Sequence, residues 1–488
     1  MKLKNFIIAL FLFAHTTNAQ NAIQRLGEDI NYSIEAQITA SKGQTPLWLN
    51  ANRYGMSSIT GDNGHLRVRF GKASESDTTH KWRIGYGTDI GFRYNAESSV
   101  FVQQMYADFA YRGVRLSLGS KERPMALKNQ ELSSGSQTFG INSHPIPEAR
   151  IEIPEYISIT GKSDWIGIKG HFGYGITTDG KWARHYTAGT NYSKRTLYHT
   201  KAGYMRFGNK DKFPLIFEGG LEMACMFGGS IFNNGKEQKL GQGIRDFIEV
   251  IFGTGHDIGE TVYKNANGNT VGSWLFSLSY VGKDWEIRTY YDHFFEDHSM
   301  MFFQYGWLDG LIGAEINLPQ NPYINTFVYE FMNTTYQAGA VYHDHTPEIP
   351  DQISAIDNYY NHTIHSGWQN WGQPIGNPLF TSPLYRNDEK LNFNNNRFKA
   401  HHFGISGTPI PWLHYRLLYS YTSNLGTYHT PYLTPKYNNC FLCEATLSSP
   451  WQHKPVLSGW QVKLAFGLDR GAQIGNNTGM QISIKKTF

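Results

Sequence analysis

The sequence predicts an all-β fold, a transmembrane antiparallel β-barrel of about 18 strands with long extracellular loops. Three observations support this prediction. Apolar and polar residues alternate with period 2 in many short segments, and the links between these segments are alternately short and long. The composition combines 15% aromatic residues and 50 glycines with only 40% hydrophobic residues. A soluble core of this length would need more aliphatic residues, whereas a barrel needs only a thin apolar exterior around a polar lumen.

The first 19 residues have the features of a secretory signal peptide. Lys2 and Lys4 precede an apolar run from Phe6 to Ala14, and small residues precede Gln20. We expect residues 1–19 to be removed and residues 20–488 to form a single barrel domain, because no Pro/Ser-rich linker divides them. No later apolar run approaches the ~20 residues of a spanning helix. The chain is therefore expected to enter the outer membrane, with its lipids, as strands.

Charged and apolar side chains alternate strictly in several segments. Leu66 and Val68 interleave with Arg67 and Arg69, and the same alternation is clearest over 456–468. Charged residues at alternate positions are typical of a wet lumen, with the apolar row facing lipid. Strands are predicted near 31–40, 65–75, 80–94, 99–111, 112–120, 151–160, 165–177, 195–207, 213–226, 271–281, 285–297, 310–318, 324–343, 397–407, 413–424, 438–449, 456–469 and 478–488.

The lengths of the links indicate which end of the barrel faces the cell exterior. If the N-terminus is periplasmic, every second link is a short turn, and the intervening links are long except near 95–98. Short periplasmic turns and long outer loops are the known asymmetry of these barrels. One long link contains helical spacing of apolar residues at 242–252, which we expect to cap or plug the mouth.

The last strand, 479–488, has two different faces. Met480, Ile482, Ile484 and the terminal Phe488 share one parity. An aromatic C-terminus after such a strand is similar to the terminal signal of bacterial outer-membrane barrels, so the barrel assembly machinery is an expected partner. An edge strand of a soluble sandwich is the alternative.

Charge and cysteine content exclude other classes. The net charge of +4 includes Lys2 and Lys4, which leaves about +2 in the mature chain, too little to indicate nucleic-acid binding. Three cysteines cannot form a fully paired disulfide framework. No cofactor is expected.

A first candidate binding stretch follows the first predicted strand. It offers a planar ring, two amides and a guanidinium within a few residues, which is the chemistry that holds a sugar. The candidates are Trp48, Asn50, Asn52, Arg53 and Tyr54. For Trp48 itself we favour the alternative that it belongs to an aromatic girdle at the membrane interface.

A second polar stretch covers 132–156. Pro145 and Pro147 favour an extended loop that re-enters the wall near Ile151. Arg150 and Glu152 then lie where the lumen begins. They are either ion pairs that stiffen the barrel interior or ligand-binding groups.

A third stretch places carboxylates beside a histidine: Asp292, His293, Glu296 and Asp297, followed by Asp309. Such groups can perform general acid/base catalysis. However, neither a GxSxG motif nor triad spacing is present. A luminal or rim polar cluster is preferred over an outer-membrane hydrolase, and the protein is not expected to be an enzyme.

The longest loop is rich in aromatic residues. Two roles are open for these residues: they stack on a glycan, or they pack the loop against itself. The candidates are Tyr359, Tyr360, His362, Trp368, Trp371 and Asn377. Histidines at 343, 345, 362 and 365 invite a metal site, but they lack the spacing and cysteines of zinc motifs. No metal is expected.

Four motifs together make the chain resemble the Wzi-type capsule assembly family in its Bacteroidetes-like form. They are PLWLNANRYG at 46–55, INSHPIPEARIEIPEY at 141–156, HFFEDHSMMF with GWLDGLIGAEI within 293–316, and YYNHTIHSGWQNWGQPIGNP at 359–378. The resemblance implies an outer-membrane lectin that binds capsular polysaccharide and helps assemble or retain the capsule, without enzymatic chemistry. Relatives from enteric bacteria resemble an 18-stranded barrel with a periplasmic helical bundle, for which this chain has no room. The polar lumen alone would equally suit a passive porin or channel.

Overall fold

In the computed structural model, 18 strands form a closed antiparallel barrel. The structure describes residues 27–77, 80–252, 268–296, 301, 308–343, 352–362, 364–386, 388–451, 454 and 456–488. The barrel strands are β1 (Asn31–Lys42), β2 (Asn63–Lys72), β3 (Trp82–Tyr94), β4 (Val100–Tyr111), β5 (Val114–Ser120), β6 (Glu148–Ser158), β7 (Ile166–Ile176), β8 (Leu197–Phe207), β9 (Leu215–Phe227), β10 (Asn269–Val281), β11 (Glu286–Glu296), β12 (Gly310–Asn317), β13 (Thr326–Asn333), β14 (Phe398–Ile410), β15 (Leu413–Gly426), β16 (Pro431–Ser448), β17 (Trp460–Gly471) and β18 (Asn477–Thr487). The predicted signal peptide lies outside the described residues.

Each strand pairs with its neighbours in sequence, and β18 pairs with β1 to close the ring. The closing ladder runs from Ser33 opposite Thr487 to Lys42 opposite Thr478. Closure leaves the barrel without a free sheet edge. The predicted fold class is therefore confirmed, as is the division into short links at one end and mostly long links at the other.

Two predicted boundaries are wrong. The strand expected at 324–343 ends at Asn333, because the chain turns away at Gln337 with a left-handed φ of 43°. Ala338–His343 pairs instead with Gln352–Ile356 in a separate hairpin. The loop expected at 425–437 shrinks to 427–430, because β15 and β16 continue into it. The first residues of β16, 431–437, are exposed or half-buried on both faces and include two prolines, so no alternation marks them as a strand.

The alternation predicts the two faces of the wall correctly. Leu66 and Val68 on β2 are exposed on the outer face, whereas Arg67 between them lies in the lumen and contacts Glu35. On β18, Met480, Ile482 and Ile484 are exposed. The outer face is thus the apolar belt of a transmembrane barrel.

Exposed aromatic residues ring the end of the barrel that carries the short turns. They are Trp82, Tyr111, Trp165, Phe213, Trp285, Tyr323, Trp412, Trp451, Trp460 and Phe488. This ring is the aromatic girdle of the periplasmic interface. Trp48 is not a girdle residue, contrary to the interpretation favoured above: it is 1% exposed and lies inside the barrel, 5.0 Å from the His402 ring.

Three long loops fold back into the bore: L1 (43–62), L3 (121–147) and L7, the link between β13 and β14, whose described residues are 334–343, 352–362, 364–386 and 388–397. L1 contains the short helix α1 (Leu47–Asn50), all of whose residues are buried. The largest cluster of buried apolar residues joins side chains of L1, L3 and L7 to the luminal wall. Much of the protein's core is therefore made of loops rather than of strands.

Two further long loops, L4 (177–196) and L5 (228–268), contain short helices and strands of their own in their described residues. L4 contains helix α2 (Gly180–Tyr186), and its segment Asn191–Lys194 pairs with Ser230–Asn233, which pairs with Lys236–Lys239. L5 also contains helix α3 (Ile244–Phe252), as predicted. Its expected role as a cap over the mouth is wrong, because α3 packs on the outside of the wall. Among the described residues, no helix is both long and apolar enough to span a membrane.

Candidate functional site

L3 crosses the bore from one wall to the opposite wall. Near one end, His144 Nδ1 lies 2.8 Å from Gln103 Oε1 on β4. Near the other, Ser133 Oγ donates to Glu330 Oε1 on β13 at 2.6 Å. Strands 4 and 13 are nine places apart (13 − 4) in a ring of 18, so they face each other across the lumen. L3 is therefore a plug that enters from the long-loop end.

Buried charges hold this plug to the wall. Glu330 also accepts from the Ser134 backbone N–H at 2.7 Å and from the Tyr290 hydroxyl at 2.7 Å. Asp292 on β11 accepts from the Gln137 backbone N–H at 3.2 Å and lies 3.3 Å from Lys128 Nζ. Hydrogen bonds to charged groups are the stronger class in proteins. The plug is thus anchored rather than loosely inserted.

L1 is bound to the plug through the residues that the sequence suggested for sugar binding. The Asn52 side chain donates to Ser134 O at 2.9 Å, and the Tyr54 hydroxyl donates to Arg123 O at 3.0 Å. Arg53 pairs with Glu444 on β16 at 2.7 Å. Asn50 is buried, like Trp48. Trp48 and Asn50 are thus buried, whereas Asn52, Arg53 and Tyr54 line a luminal cavity together with Glu444 and not the outer surface.

Most of the L7 candidates are also packed inside. Trp368 Nε1 donates to Thr138 O at 3.1 Å, and Asn377 Nδ2 donates to Gly135 O at 2.8 Å. The Tyr360 hydroxyl donates to Gln137 O, and a side chain at Gly376 would collide with both of these groups. Tyr359, Tyr360, Trp368 and Asn377 are fully buried. Of the two alternatives for this loop, packing describes these four residues.

The third stretch is divided by the wall. Asp292 points into the lumen, whereas its neighbour His293 is on the outer face of β11, paired with Trp274, and is covered there with Nδ1 3.2 Å from Asp309 O. Of the two positions expected for this cluster, lumen or rim, Asp292 occupies the lumen, and His293 lies on the other side of the wall beside the rim residue Asp309, because adjacent strand residues point to opposite sides. Glu296 and Asp309 are buried at the rim, and Asp297 lies outside the described residues.

Below the plug, the lumen is lined with paired charges. Arg150 Nε lies 3.0 Å from Glu152 Oε2, and Glu152 also accepts from Arg115 at 2.8 Å. They line a cavity of about 310 Å³, and Glu444 with Arg416 lines a second of about 350 Å³. Ion pairs across neighbouring strands stiffen the wall. The second stretch is thus placed in the lumen, as the sequence predicts.

His362 and His365 are stacked in L7, with ring centroids 5.4 Å apart. His362 Nδ1 accepts the backbone N–H groups of Ile364 and His365 at 3.2 and 3.3 Å. Burial lowers the pKa of His362 to about 4 and that of His365 to about 3. Among the described residues, no cluster of three metal-ligating side chains is present. The side chain of His343 and all of His345 are outside the described part.

These two histidines predict an acid-sensitive loop. Because the folded pKa values lie below the ordinary 6.5, the unfolded loop binds more protons, and stability is lost as the pH falls from 6.5 toward 4. We expect hydrogen exchange of 357–370, corrected for its intrinsic pH dependence, to be at least about a hundredfold faster at pH 4.5 than at pH 7.5, since each histidine alone contributes a factor of that order. A His362→Asn/His365→Asn variant should lose most of this difference. Equal pH dependence in both proteins would contradict the assignment.

The long-loop end presents a partly exposed aromatic cluster above the plug, formed by Trp182, Tyr186 and Trp371. Trp182 and Tyr186 are stacked on α2 with centroids 5.4 Å apart and planes inclined by 23°. Trp371 of L7 lies 5.8 Å from Trp182 and contacts the buried His144 edge-on at 6.0 Å. We call these three residues the aromatic surface cluster. It continues the plug outward to the solvent.

Polar groups surround this cluster. Asp179, just before α2, accepts from the Trp371 backbone N–H at 3.3 Å, and burial raises the pKa of Asp179 to about 6. The Tyr186 hydroxyl donates to Arg386 O at 3.2 Å, and Arg386 pairs with Asp388. Lys181, Arg184 and His185 are exposed on α2. The combination of partly exposed rings with charged donors and acceptors is suited to a hydroxyl-rich ligand.

Sequence reasoning identified Trp371 but missed Trp182 and Tyr186. Their spacing of four residues in KWARHY is the signal that could have found them, since residues i and i+4 are neighbours on a helix. The absence of period-2 alternation in this segment predicts only a loop. Helix α2 has only 7 residues, too few for a clear periodic pattern.

Comparison with known proteins places the fold. No protein-family model matches the chain, and no curated protein matches its sequence. The structure is similar to Wzi, an outer-membrane protein involved in group 1 capsule assembly in Escherichia coli and described as a carbohydrate-binding β-barrel. The TM-score is 0.59 at 10% identity, over 96% of this chain and 86% of that one. At this identity the likeness shows the fold alone, an outer-membrane barrel.

Weaker structural matches are OpdQ and the outer-membrane protein OpdK, both from Pseudomonas aeruginosa. OpdQ has a TM-score of 0.47 at 9% identity and covers 95% of this chain and 99% of that one. OpdK has a TM-score of 0.46 at 9% identity and covers 94% of this chain and 99% of that one.

Proposed function

We propose that this protein is a lectin of the outer membrane that binds capsular or other surface polysaccharide and helps assemble or retain the capsule, without enzymatic chemistry. The observation that supports it most is the aromatic surface cluster. Aromatic faces bind the apolar faces of sugar rings, while the charged side chains around them can hydrogen-bond hydroxyl or carboxylate groups. The carbohydrate-binding barrel of similar fold is consistent with this proposal.

The plug supports a surface-binding role over transport. L3 crosses the bore, and L1 and L7 are hydrogen-bonded to it. The groups that suggested a hydrolase do not form a catalytic pair. Asp292 accepts a hydrogen bond from Gln137 and lies beside Lys128, whereas His293 is on the other face of the strand. A passive channel is the second candidate function, favoured by the polar cavities below the plug. We further infer export by residues 1–19 and insertion by the barrel assembly machinery through β18, which leads to Phe488.

The proposal is tested by polysaccharide binding. Purified protein is titrated with capsular polysaccharide extracted from the source strain, and the Trp182→Ala/Trp371→Ala variant is compared with wild type. If each aromatic contact contributes about 1 kcal/mol, we expect roughly 30-fold weaker binding.

Trp412→Ala, which removes an exposed tryptophan at the periplasmic end, is the matched control and should bind as wild type. Trp182→Phe should restore part of the affinity because it keeps a ring to stack. Wild-type affinity in the double variant would reject the cluster as the site. A wild-type protein that binds none of the strain's polysaccharides would reject the function.

A further inference from the structure

Helix α3 of L5 packs against the wall between β7 and β9. Phe247 and Val250 contact Tyr174, Cys225 and Phe227 in a small apolar cluster. The Tyr174 hydroxyl donates to Phe247 O at 2.7 Å, and Lys201 Nζ donates to Ile251 O at the end of the helix. The helix is thus fixed to the barrel by both apolar and polar contacts.

The strand register shows that this contact is on the outer face. Directly paired residues point to the same side of a sheet. Ile151, exposed on the apolar belt, pairs with Phe172, which pairs with Lys201. Tyr174, two residues beyond Phe172 on β7, therefore points outward with it. The intervening His171 points into the lumen, 5.5 Å from the plug residue Phe139.

The helix covers polar groups that would otherwise face lipid. His199 and Lys201 occupy outward positions of β8, yet His199 is buried, with Nδ1 3.0 Å from Gly173 O. Lys201 meets the C-terminal carbonyl end of α3, where a cation is favourable. A charged or polar group left on the lipid face of a barrel is destabilising. This explains why a helix is needed at this place on the wall.

The solvent side of α3 has two distinct sectors. Ile244, Ile248 and Phe252, spaced by four residues, form one row and are 82%, 51% and 66% exposed. Arg245 is exposed in the neighbouring sector and pairs with the buried Glu249 at 2.7 Å. A helix with one sector on the wall, one apolar and one polar has the pattern of a helix that lies at a membrane surface.

We propose that α3 is an interfacial helix whose Ile244–Ile248–Phe252 row inserts into the outer leaflet of the membrane. The apolar row continues an established lipid-contacting surface. Met205 and Phe207, exposed on the belt, lie on the same strand as Lys201, to which the last turn of α3 is bonded. Four residues of strand separate Lys201 from Met205, roughly 13 Å at about 3.3 Å per residue. The barrel thereby gains a lateral anchor at the height of the lipid head groups.

The test measures the environment of single nitroxide labels. Labels are attached at Ile248→Cys, at Arg245→Cys and, as a lipid-facing reference, at Met205→Cys. The background is Cys443→Ser, because Cys443 is exposed while Cys225 and Cys440 are buried. The full-length protein is reconstituted into phosphatidylethanolamine/phosphatidylglycerol vesicles. The ratio of oxygen to nickel-chelate accessibility at position 248 should approach that at 205 and exceed that at 245 about tenfold.

Three results would overturn the proposal. Nickel accessibility at 248 equal to that at 245 would place the row in water. Shielding of 248 from both reagents would indicate a protein cover, such as a second copy of the chain. Shielding that appears only with added polysaccharide would indicate a glycan-binding face. An Ile244→Cys label repeats the measurement if a labelled Ile248→Cys protein does not fold.

Discussion

Replacement of residues 125–142 of L3 by a flexible Gly/Ser linker of equal length is expected to open the barrel. Because L3 spans the bore from β4 to β13 and holds L1 and L7 by hydrogen bonds, its replacement should release all three loops and open a water-filled path through a barrel of this size. Single-channel conductance in a planar bilayer should rise at least about tenfold over wild type.

The control for this experiment is the same replacement made over α3. That helix lies outside the wall, so its loss should leave the conductance at the wild-type level. If the wild-type protein already conducts as strongly as the L3 variant, the bore is open and the passive channel becomes the better function. Heat-dependent mobility on gels confirms that each variant has formed a barrel.

Glu330→Ala is expected to destabilise the protein more than other single substitutions in the lumen. Glu330 is 1% exposed, and its two oxygens accept from Ser133, Ser134 and Tyr290. Removing the acceptor leaves three buried donors without a partner, at about 1–3 kcal/mol each, and we expect a loss of about 3–6 kcal/mol in the free energy of unfolding. Urea unfolding and proteolysis of L3 measure the effect.

Two variants calibrate this loss. Glu330→Gln keeps one acceptor oxygen and should have an intermediate effect. Glu131→Ala removes an exposed carboxylate of the same loop, which pairs with His414 at 3.1 Å, and should cost less than about 1 kcal/mol. If Glu330→Ala is no more harmful than Glu131→Ala, the anchoring role of Glu330 is incorrect.

The wall was predictable because its information is local. Each strand marks its own lipid and lumen faces by period 2, as Leu66, Arg67 and Val68 do on β2. The pattern failed where both faces of a strand are exposed to water, as at residues 431–437 of β16. Where water contacts both faces, apolar and polar residues do not alternate, and the sequence does not mark the strand.

The interior was not predictable, because its contacts join residues far apart in the chain. Trp48, Tyr360 and Trp368 are aromatic residues among amides, a composition that fits a sugar site and a packed plug equally well. Only the fold shows that Trp368 is bonded to Thr138, 230 residues away, and that Trp371 reaches the surface. Asp292 and His293 show the same limit. They are adjacent in the sequence, but their side chains lie on opposite sides of the barrel wall.

The late position of L7 in the chain has a consequence for biogenesis. Gln137 and Thr138 are hydrogen-bonded to Tyr360 and Trp368, which lie more than 220 residues further along the chain. Contacts of such long sequence separation form slowly. We therefore expect the strand pairs of the wall, which join segments adjacent in the chain, to form before the contacts between L3 and L7 close the bore.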